Sequence, residues 1–240
     1  MTSTHLASPE ILSFESYEDR LLPRAEKWLP TLLSVIAGAV DLTGFLTLGI
    51  FTAHITGNLV VIGALVVRHS RVNPASILAV PVFIVAVAAT WLLAKASGWR
   101  GRSLSRLLLL VQFLLLVGLL IFSVVTNPSA DKHGLMATVA AMLAVFAMAC
   151  QFALLRLTIP VAPSTAVMTG NLTNATLALV DASSKARPLI SGDSQRLKAS
   201  LHLIVGFLVG CVVAAIAVMY LGDWAWSIPA ALAALAVVIG

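Results

Sequence analysis

A seven-residue pattern that contains Thr-Gly-Asn occurs twice in this chain, at residues 53–59 and 166–172, each time in strongly apolar surroundings. Glycine permits a sharp turn without a side-chain clash, and Thr and Asn are good helix N-caps. The short helix after each turn would direct its partially positive N-terminus into the protein, where it favours an anion or a polar group. Two such turns that meet near the bilayer midplane would line a binding site or a pore.

Asp41 is the only acidic residue well inside an apolar run. An acid at membrane depth is costly and is a functional candidate by default, as a proton carrier or a cation ligand. His54, in the first turn, changes its charge near neutral pH. The alternative is that these groups, and both turns, only cap buried helices and bond to their neighbours.

The candidate substrate-binding residues are Asp41, His54, Thr56, Gly57, Asn58, Gln151, Thr169, Gly170, Asn171 and Asn174. Of these, Asn171 and Asn174 are three residues apart and share a helix face.

The composition predicts an all-α integral membrane protein. Hydrophobic residues make up 60% of the 240 residues and charged residues only 10%, whereas a soluble domain has about a quarter charged residues. The net charge of +5 does not indicate nucleic-acid binding, because the basic residues cluster in short links without aromatic neighbours. Cys150 and Cys211 both lie inside apolar runs, where free cysteine behaves as a small hydrophobe.

The apolar runs predict a polytopic helix bundle with six spanning helices, at 30–51, 77–96, 104–125, 135–157, 201–220 and 224–240. The runs at 54–67 and 165–181 are too short to cross, because 14 helical residues rise ~21 Å against ~30 Å of hydrocarbon. We expect these two to be broken or re-entrant helices. Residues 1–28 form a polar N-terminal segment, either a surface helix or a disordered tail.

The basic residues predict the orientation of these helices. If the short helices do not cross, 12 of the 15 basic residues lie on one side, and only Arg68, Arg71 and Lys132 lie on the other. The positive-inside rule then places both termini in the cytoplasm. Three spans per half make the halves, 29–126 and 135–240 with the link 127–134, an inverted repeat. Gly206 and Gly210 could serve either a contact within the chain or a homo-oligomer.

The paired motifs resemble those of the YoaK family of bacterial membrane proteins. The matching stretches are 38–46 (GAVDLTGFL), 55–58 (ITGN), Gln151 and 168–174 (MTGNLTN). The resemblance covers the chain from about Ser34 to the end. It implies a multi-pass protein of the bacterial inner membrane and no established function.

Two classes of function remain open at this point. The leading hypothesis is a transporter or channel for a small polar or anionic solute, with its site between the two turns. The second is a membrane scaffold or accessory subunit that binds a protein partner, which the shortage of strongly polar intramembrane residues favours. We expect no enzyme, because HExxH, GxSxG, paired glutamates and a Gly-rich phosphate loop are all missing from the sequence. We also expect no cofactor and no metal.

Overall fold

A computed structural model describes residues 24–158, 164–165, 167–183 and 193–240, and within them every regular element is helical. The predicted all-α polytopic bundle is therefore confirmed. Residues 1–23 of the N-terminal segment, for which a surface helix and a disordered tail were both left open, lie outside the described residues. We number the α-helices α1 Arg24–Leu48, α2 Gly57–Val67, α3 Pro74–Ser97, α4 Gly101–Thr126, α5 Leu135–Thr158, α6 Met168–Ser183, α7 Asp193–Leu221 and α8 Ser227–Ile239. Short 3-10 helices occupy Pro128–Ala130 and Gly222–Trp226.

Five described stretches are long and apolar enough to cross a bilayer. They are Trp28–Leu48, Pro74–Ser97, Gly101–Thr126, Leu135–Thr158 and Leu197–Ile239. The fifth stretch, of 43 residues, contains both of the last two predicted spans. Gly222, with φ of +55°, interrupts that stretch between α7 and α8. The first short segment forms an apolar helix of 11 residues, α2, which is about 17 Å long.

Local sequence signals explain where the helices begin and end. The Oδ1 atom of Asn73 accepts a hydrogen bond from the backbone N–H of Ala75 at 2.9 Å, and Pro74 occupies the first position of α3. Gly98 then ends α3 with a positive φ of 66°. Asn127 ends α4 in the left-handed region, directly before Pro128, which opens the 3-10 helix. These are the residue types expected where helices start and end.

The packing of the helices is the same in both halves. The first helix of each half packs on the third and fourth helices of the other half, so that α1 contacts α7 and α8, and α5 contacts α3 and α4. Each short helix packs on the helix that follows it, α2 on α3 and α6 on α7. The two halves therefore interleave. Their first helices form the centre: 67% of the span in α1 and 72% of that in α5 is buried, against 17% in α3.

The direction of the helices shows that the two halves are inverted. Asn73, at the start of α3, donates through Nδ2 to the carbonyl of Leu48, at the end of α1, at 2.9 Å. A Cβ on the neighbouring Gly49 would lie 3.7 Å from Cδ of Lys132, just before α5. The end of α1 and the starts of α3 and α5 thus lie at one end of the bundle, which we call the Lys132 end. It follows that α2 does not carry the chain across and that α1 and α5 are antiparallel.

Glycines allow α1 and α7 to approach each other closely. A Cβ on Gly210 would overlap the carbonyl oxygen of Val35, and one on Gly38 would overlap that of Phe207. A Cβ on Gly206 would lie 3.0 Å from the carbonyl oxygen of Thr31. Of the two roles left open for Gly206 and Gly210, the structure therefore shows the contact within the chain.

Candidate functional site

Asp41 binds the backbone of the loop that follows its own helix. Its Oδ1 atom accepts hydrogen bonds from the backbone N–H groups of Thr52, Ala53 and His54, at 2.8, 2.7 and 3.2 Å. The side chain is 7% exposed. Three successive N–H groups that converge on one oxygen form a concave anion-binding site of the kind made by backbone nests. The anion held here is the protein's own carboxylate.

His54 completes this arrangement through its ring. Its Nδ1 atom lies 2.7 Å from Oδ2 of Asp41, within hydrogen-bond distance. The ring also packs edge-on against Phe207 of α7, with 5.1 Å between ring centroids. The His54 side chain is 33% exposed, so the pair is reachable from outside the packed core. The structure thus brings together Asp41 and His54, the two titratable residues that the sequence singled out.

The first Thr-Gly-Asn turn is closed by its own backbone and its asparagine. Asn58 is buried, accepts from the Phe51 N–H at 2.9 Å and donates to the Phe51 carbonyl at 2.7 Å. The N–H groups of Gly57, Asn58 and Leu59 donate to the carbonyls three residues earlier. Thr56 is exposed and its side chain makes no capping hydrogen bond, so its predicted role as a cap is wrong. The expected open anion site at this helix terminus is also not formed, because turn carbonyls already occupy these donors.

The second turn repeats the asparagine bond. Asn171 is buried and donates through Nδ2 to the carbonyl of Ser164 at 2.8 Å, across the same spacing of seven residues that separates Asn58 from Phe51. Thr169 and Asn174 are exposed, and Gly170 lies beside Val167. Asn174 therefore does not share the buried environment of Asn171, although the two are three residues apart.

Gln151 plays the corresponding part for the second loop. Its side chain is fully buried and donates through Nε2 to the Leu33 carbonyl at 2.9 Å and to Oγ1 of Thr165 at 3.4 Å. Thr165 precedes Asn171 by six residues, as Thr52 precedes Asn58. In both halves, a polar side chain from the preceding helix thus binds the loop at the same position relative to the asparagine.

Gln112 is a buried polar residue that the sequence reasoning missed. It donates through Nε2 to Oε1 of Gln151 at 2.7 Å. Its own Oε1 is buried without a hydrogen-bond partner in the part of the chain that the structure describes. The available signal was an amide in the middle of the apolar run 104–125, where polar side chains are costly. The interior therefore contains an amide pair with one open acceptor.

The first loop contacts α1 directly, and the second loop is linked to α1 through Gln151 of α5, at a point two turns away. The Gln151 bond reaches α1 at Leu33, and the first loop binds Asp41 on the same helix. Eight helical residues separate these points by about 12 Å along the helix axis. The two Thr-Gly-Asn helices themselves pack mainly on different partners, α3 and α7. The structure thus connects the two broken segments through α1.

The chemistry available at this site is proton exchange and hydrogen bonding. Among the described residues, no group of three or more His, Cys, Asp or Glu side chains could hold a metal ion. Asp41 and His54 form an acid–base pair at 2.7 Å, and the amides of Gln112 and Gln151 offer neutral polar contacts.

One known protein family matches nearly the whole chain. A model of the family described as "Protein of unknown function (DUF1275)" matches residues 29–239. No curated protein and no solved structure matches the chain. The matched range includes all eight helices from the second turn of α1 onward, and with them both Thr-Gly-Asn turns. The chain belongs to the DUF1275 family, a family of unknown function, and its apolar helices make it a membrane protein.

Proposed function

We propose that the protein is a transporter or channel for a small polar or anionic solute in the bacterial inner membrane, with a polar path beside α1. Inverted halves with a broken segment in each are the architecture of many secondary transporters, whose sites lie where the breaks meet the opposite half. We also propose that the chain is related to the YoaK family. The cytoplasmic location of both termini is also proposed here, from the distribution of basic residues.

The observation that carries the proposal is that the first broken segment is bonded to α1 directly and the second is linked to it through Gln151 of α5. Asp41 binds the first loop, and Gln151 binds both the second loop and α1 at Leu33. A movement of either loop therefore changes the surroundings of the same helix. Irregular backbone at membrane depth is tolerated where it is buried in protein or lines a water-filled cavity.

The Asp41–His54 pair is the proposed coupling element. A proton added to the carboxylate of Asp41 weakens its hold on the N–H groups of Thr52, Ala53 and His54, because a neutral carboxyl accepts hydrogen bonds less strongly. The loop can then leave α1, and deprotonation restores the contact. The His54 ring is one-third exposed, so the pair lies at the edge of the packed core.

Proteoliposome uptake under an imposed pH gradient tests this function. We expect the wild-type protein to accumulate at least one labelled solute from a panel of small anions and polar neutral molecules. Asp41→Asn keeps an oxygen acceptor for the loop but removes the charge, and we expect it to abolish the pH-dependent part of uptake. Asp223→Asn is the matched control. Asp223 is also buried, but it accepts a hydrogen bond from Ser129 and does not bind either loop. Unchanged pH-dependent uptake in Asp41→Asn would remove Asp41 from the mechanism.

A scaffold or accessory subunit is the second candidate, and one observation favours it. Both ends of the Asn58 amide are bonded to Phe51, so this residue has no strong contact left for a solute. Absence of uptake for every solute, together with stable co-purification of a second membrane protein, would support the scaffold over the transporter.

A further inference from the structure

A cavity of about 390 Å³ opens at the Lys132 end of the bundle, where Gly49, at the start of the loop after α1, is part of its lining. Its lining combines Arg71, Lys132 and His133 with the apolar side chains of Val61 and Leu65 and with Ser76. These residues come from α2, from the link between α2 and α3, from the link before α5 and from α3 itself. The cavity is therefore assembled by tertiary packing, and no single segment forms it.

Ser76 provides the observation that points to a ligand. Its side chain is 1% exposed and lines the cavity, yet its Oγ atom has no hydrogen-bond partner among the described residues. The hydroxyl of Thr90 in the same helix shows the usual solution, since it donates to the carbonyl of Ala86 at 2.7 Å. Leaving a buried polar atom unpaired is unfavourable, so an exogenous acceptor in the cavity would complete the site.

The charge of the cavity identifies the class of ligand. Arg71 and Lys132 make no ion pair with any other residue in the described ranges, although the fold brings both to one cavity. The nearby carboxylate of Asp131 does not line the cavity, and its Oδ1 accepts the His133 N–H at 3.0 Å. Two unpaired cations and a free hydroxyl suit an oxyanion, which arginine binds with two parallel hydrogen bonds.

We propose that this cavity binds a phosphate group, held by Arg71, Lys132 and the Ser76 hydroxyl. Three donors from separate elements suit a tetrahedral oxyanion better than a planar carboxylate. The phosphate belongs either to a free solute or to a phospholipid headgroup, for whose chains Val61 and Leu65 offer an apolar wall. The cavity adjoins the first broken segment, because Gly49, Val61 and Leu65 line it, but phosphate binding here does not require that the chain moves a solute.

Ligand-induced shifts of the melting temperature test the proposal on the full chain, purified in a phosphate-free detergent. One arm adds inorganic phosphate and the other a short-chain phosphatidate below its micelle concentration. A shift with both ligands assigns the site to free phosphate compounds, and a shift with phosphatidate alone assigns it to lipid headgroups. No shift with either ligand overturns the proposal.

Variants separate the site from nonspecific attraction. We expect Ser76→Ala to melt at the same or a higher temperature than wild type without ligand, because an unpaired polar atom is removed. Its affinity should fall about tenfold, as the loss of one hydrogen bond to a charged group predicts. Arg71→Gln should bind more weakly still. Arg100→Gln, at the opposite end, is the control and should bind like wild type. Equal binding by wild type, Ser76→Ala and Arg71→Gln would overturn the assignment.

Discussion

At the scale of single residues, the structure changes the meaning of Asp41. An isolated intramembrane acid is normally considered as a charge to be moved or neutralised. Here the carboxylate accepts hydrogen bonds from three backbone N–H groups, and its second oxygen lies within hydrogen-bond distance of the His54 ring. A break in a helix at membrane depth leaves N–H groups that no water can satisfy, and each costs several kcal/mol if it stays unpaired. Asp41 is thus the acceptor that makes this break possible, and any role in coupling is added to that one.

Two substitutions of Asp41 separate its geometry from its charge. Asp41→Ala removes the acceptor of three N–H groups, which should cost several kcal/mol at about 1–3 kcal/mol for each unpaired group. Asp41→Asn keeps one oxygen and should cost much less. Hydrogen exchange of the amides at 52–54, with the melting temperature in detergent, is the measurement. Slow exchange in Asp41→Ala would show that the loop does not depend on this carboxylate.

At the scale of elements, each half uses the same device to hold its broken segment. An asparagine at the start of the short helix bonds to the backbone seven residues earlier, as Asn58 does to Phe51 and Asn171 does to Ser164. The polar side chain from the preceding helix differs, an acid in the first half and Gln151 in the second. Among the described bonds, only the first break is therefore held by a titratable side chain of its preceding helix. This asymmetry is what a proton-responsive gate on one side would require.

The contact between α1 and α7 gives a prediction for a whole element. Gly210→Ala places a methyl group against the backbone of Val35 and must separate the two helices. Overpacking of this kind typically costs 1–3 kcal/mol. Gly118→Ala in α4 is the matched control, because no atom lies within 4 Å of its added Cβ, and it should melt at or slightly above the wild-type temperature. The melting temperatures of the two variants in detergent test this prediction. Equal values would show that α1 and α7 accommodate the added methyl group without separating.

At the scale of the whole molecule, the interleaved halves explain the distribution of charge. Arg68 and Arg71 follow α2 and lie with Lys132 at one end of the bundle. Arg100, in the link between α3 and α4, and Arg102, in the first turn of α4, lie at the other end, because α3 crosses from one end to the other. The inverted topology that charge counting predicted therefore agrees with the geometry at the end of α1. We propose from the positive-inside rule that the end with Arg100 and Arg102 faces the cytoplasm.

Cysteine accessibility in intact cells tests this orientation. In a background that lacks Cys150 and Cys211, Arg71→Cys should react with a membrane-impermeant reagent added from outside. Arg100→Cys should react only after the membrane is opened, if its end of the bundle faces the cytoplasm as proposed. Labelling of Arg71→Cys only from the cytoplasmic side would refute the six-span arrangement.

Much of the architecture could be predicted because it depends on local properties of the chain. Hydropathy and helix length are readable over about 20 residues, so the spans predicted at 77–96 and 135–157 were found as Pro74–Ser97 and Leu135–Thr158. The repeated turn marked both broken segments for the same reason. Prediction was weaker for the 3-10 helix Gly222–Trp226, which the run 224–240 concealed, because such a helix can be as apolar as its neighbours.

The amino-acid sequence by itself determined that this chain enters a membrane as helices, that it has two related halves, and that Asp41 is a costly acid needing a reason. The tertiary structure alone decided what Asp41 binds, that Gln112 pairs with Gln151, and that Arg71, Lys132 and Ser76 meet at one cavity. The physical reason is the distance along the chain over which each property is decided. Burial in lipid is a property of each segment, whereas a hydrogen bond or a charged cavity requires residues that are distant in the chain to be brought within a few ångströms by packing.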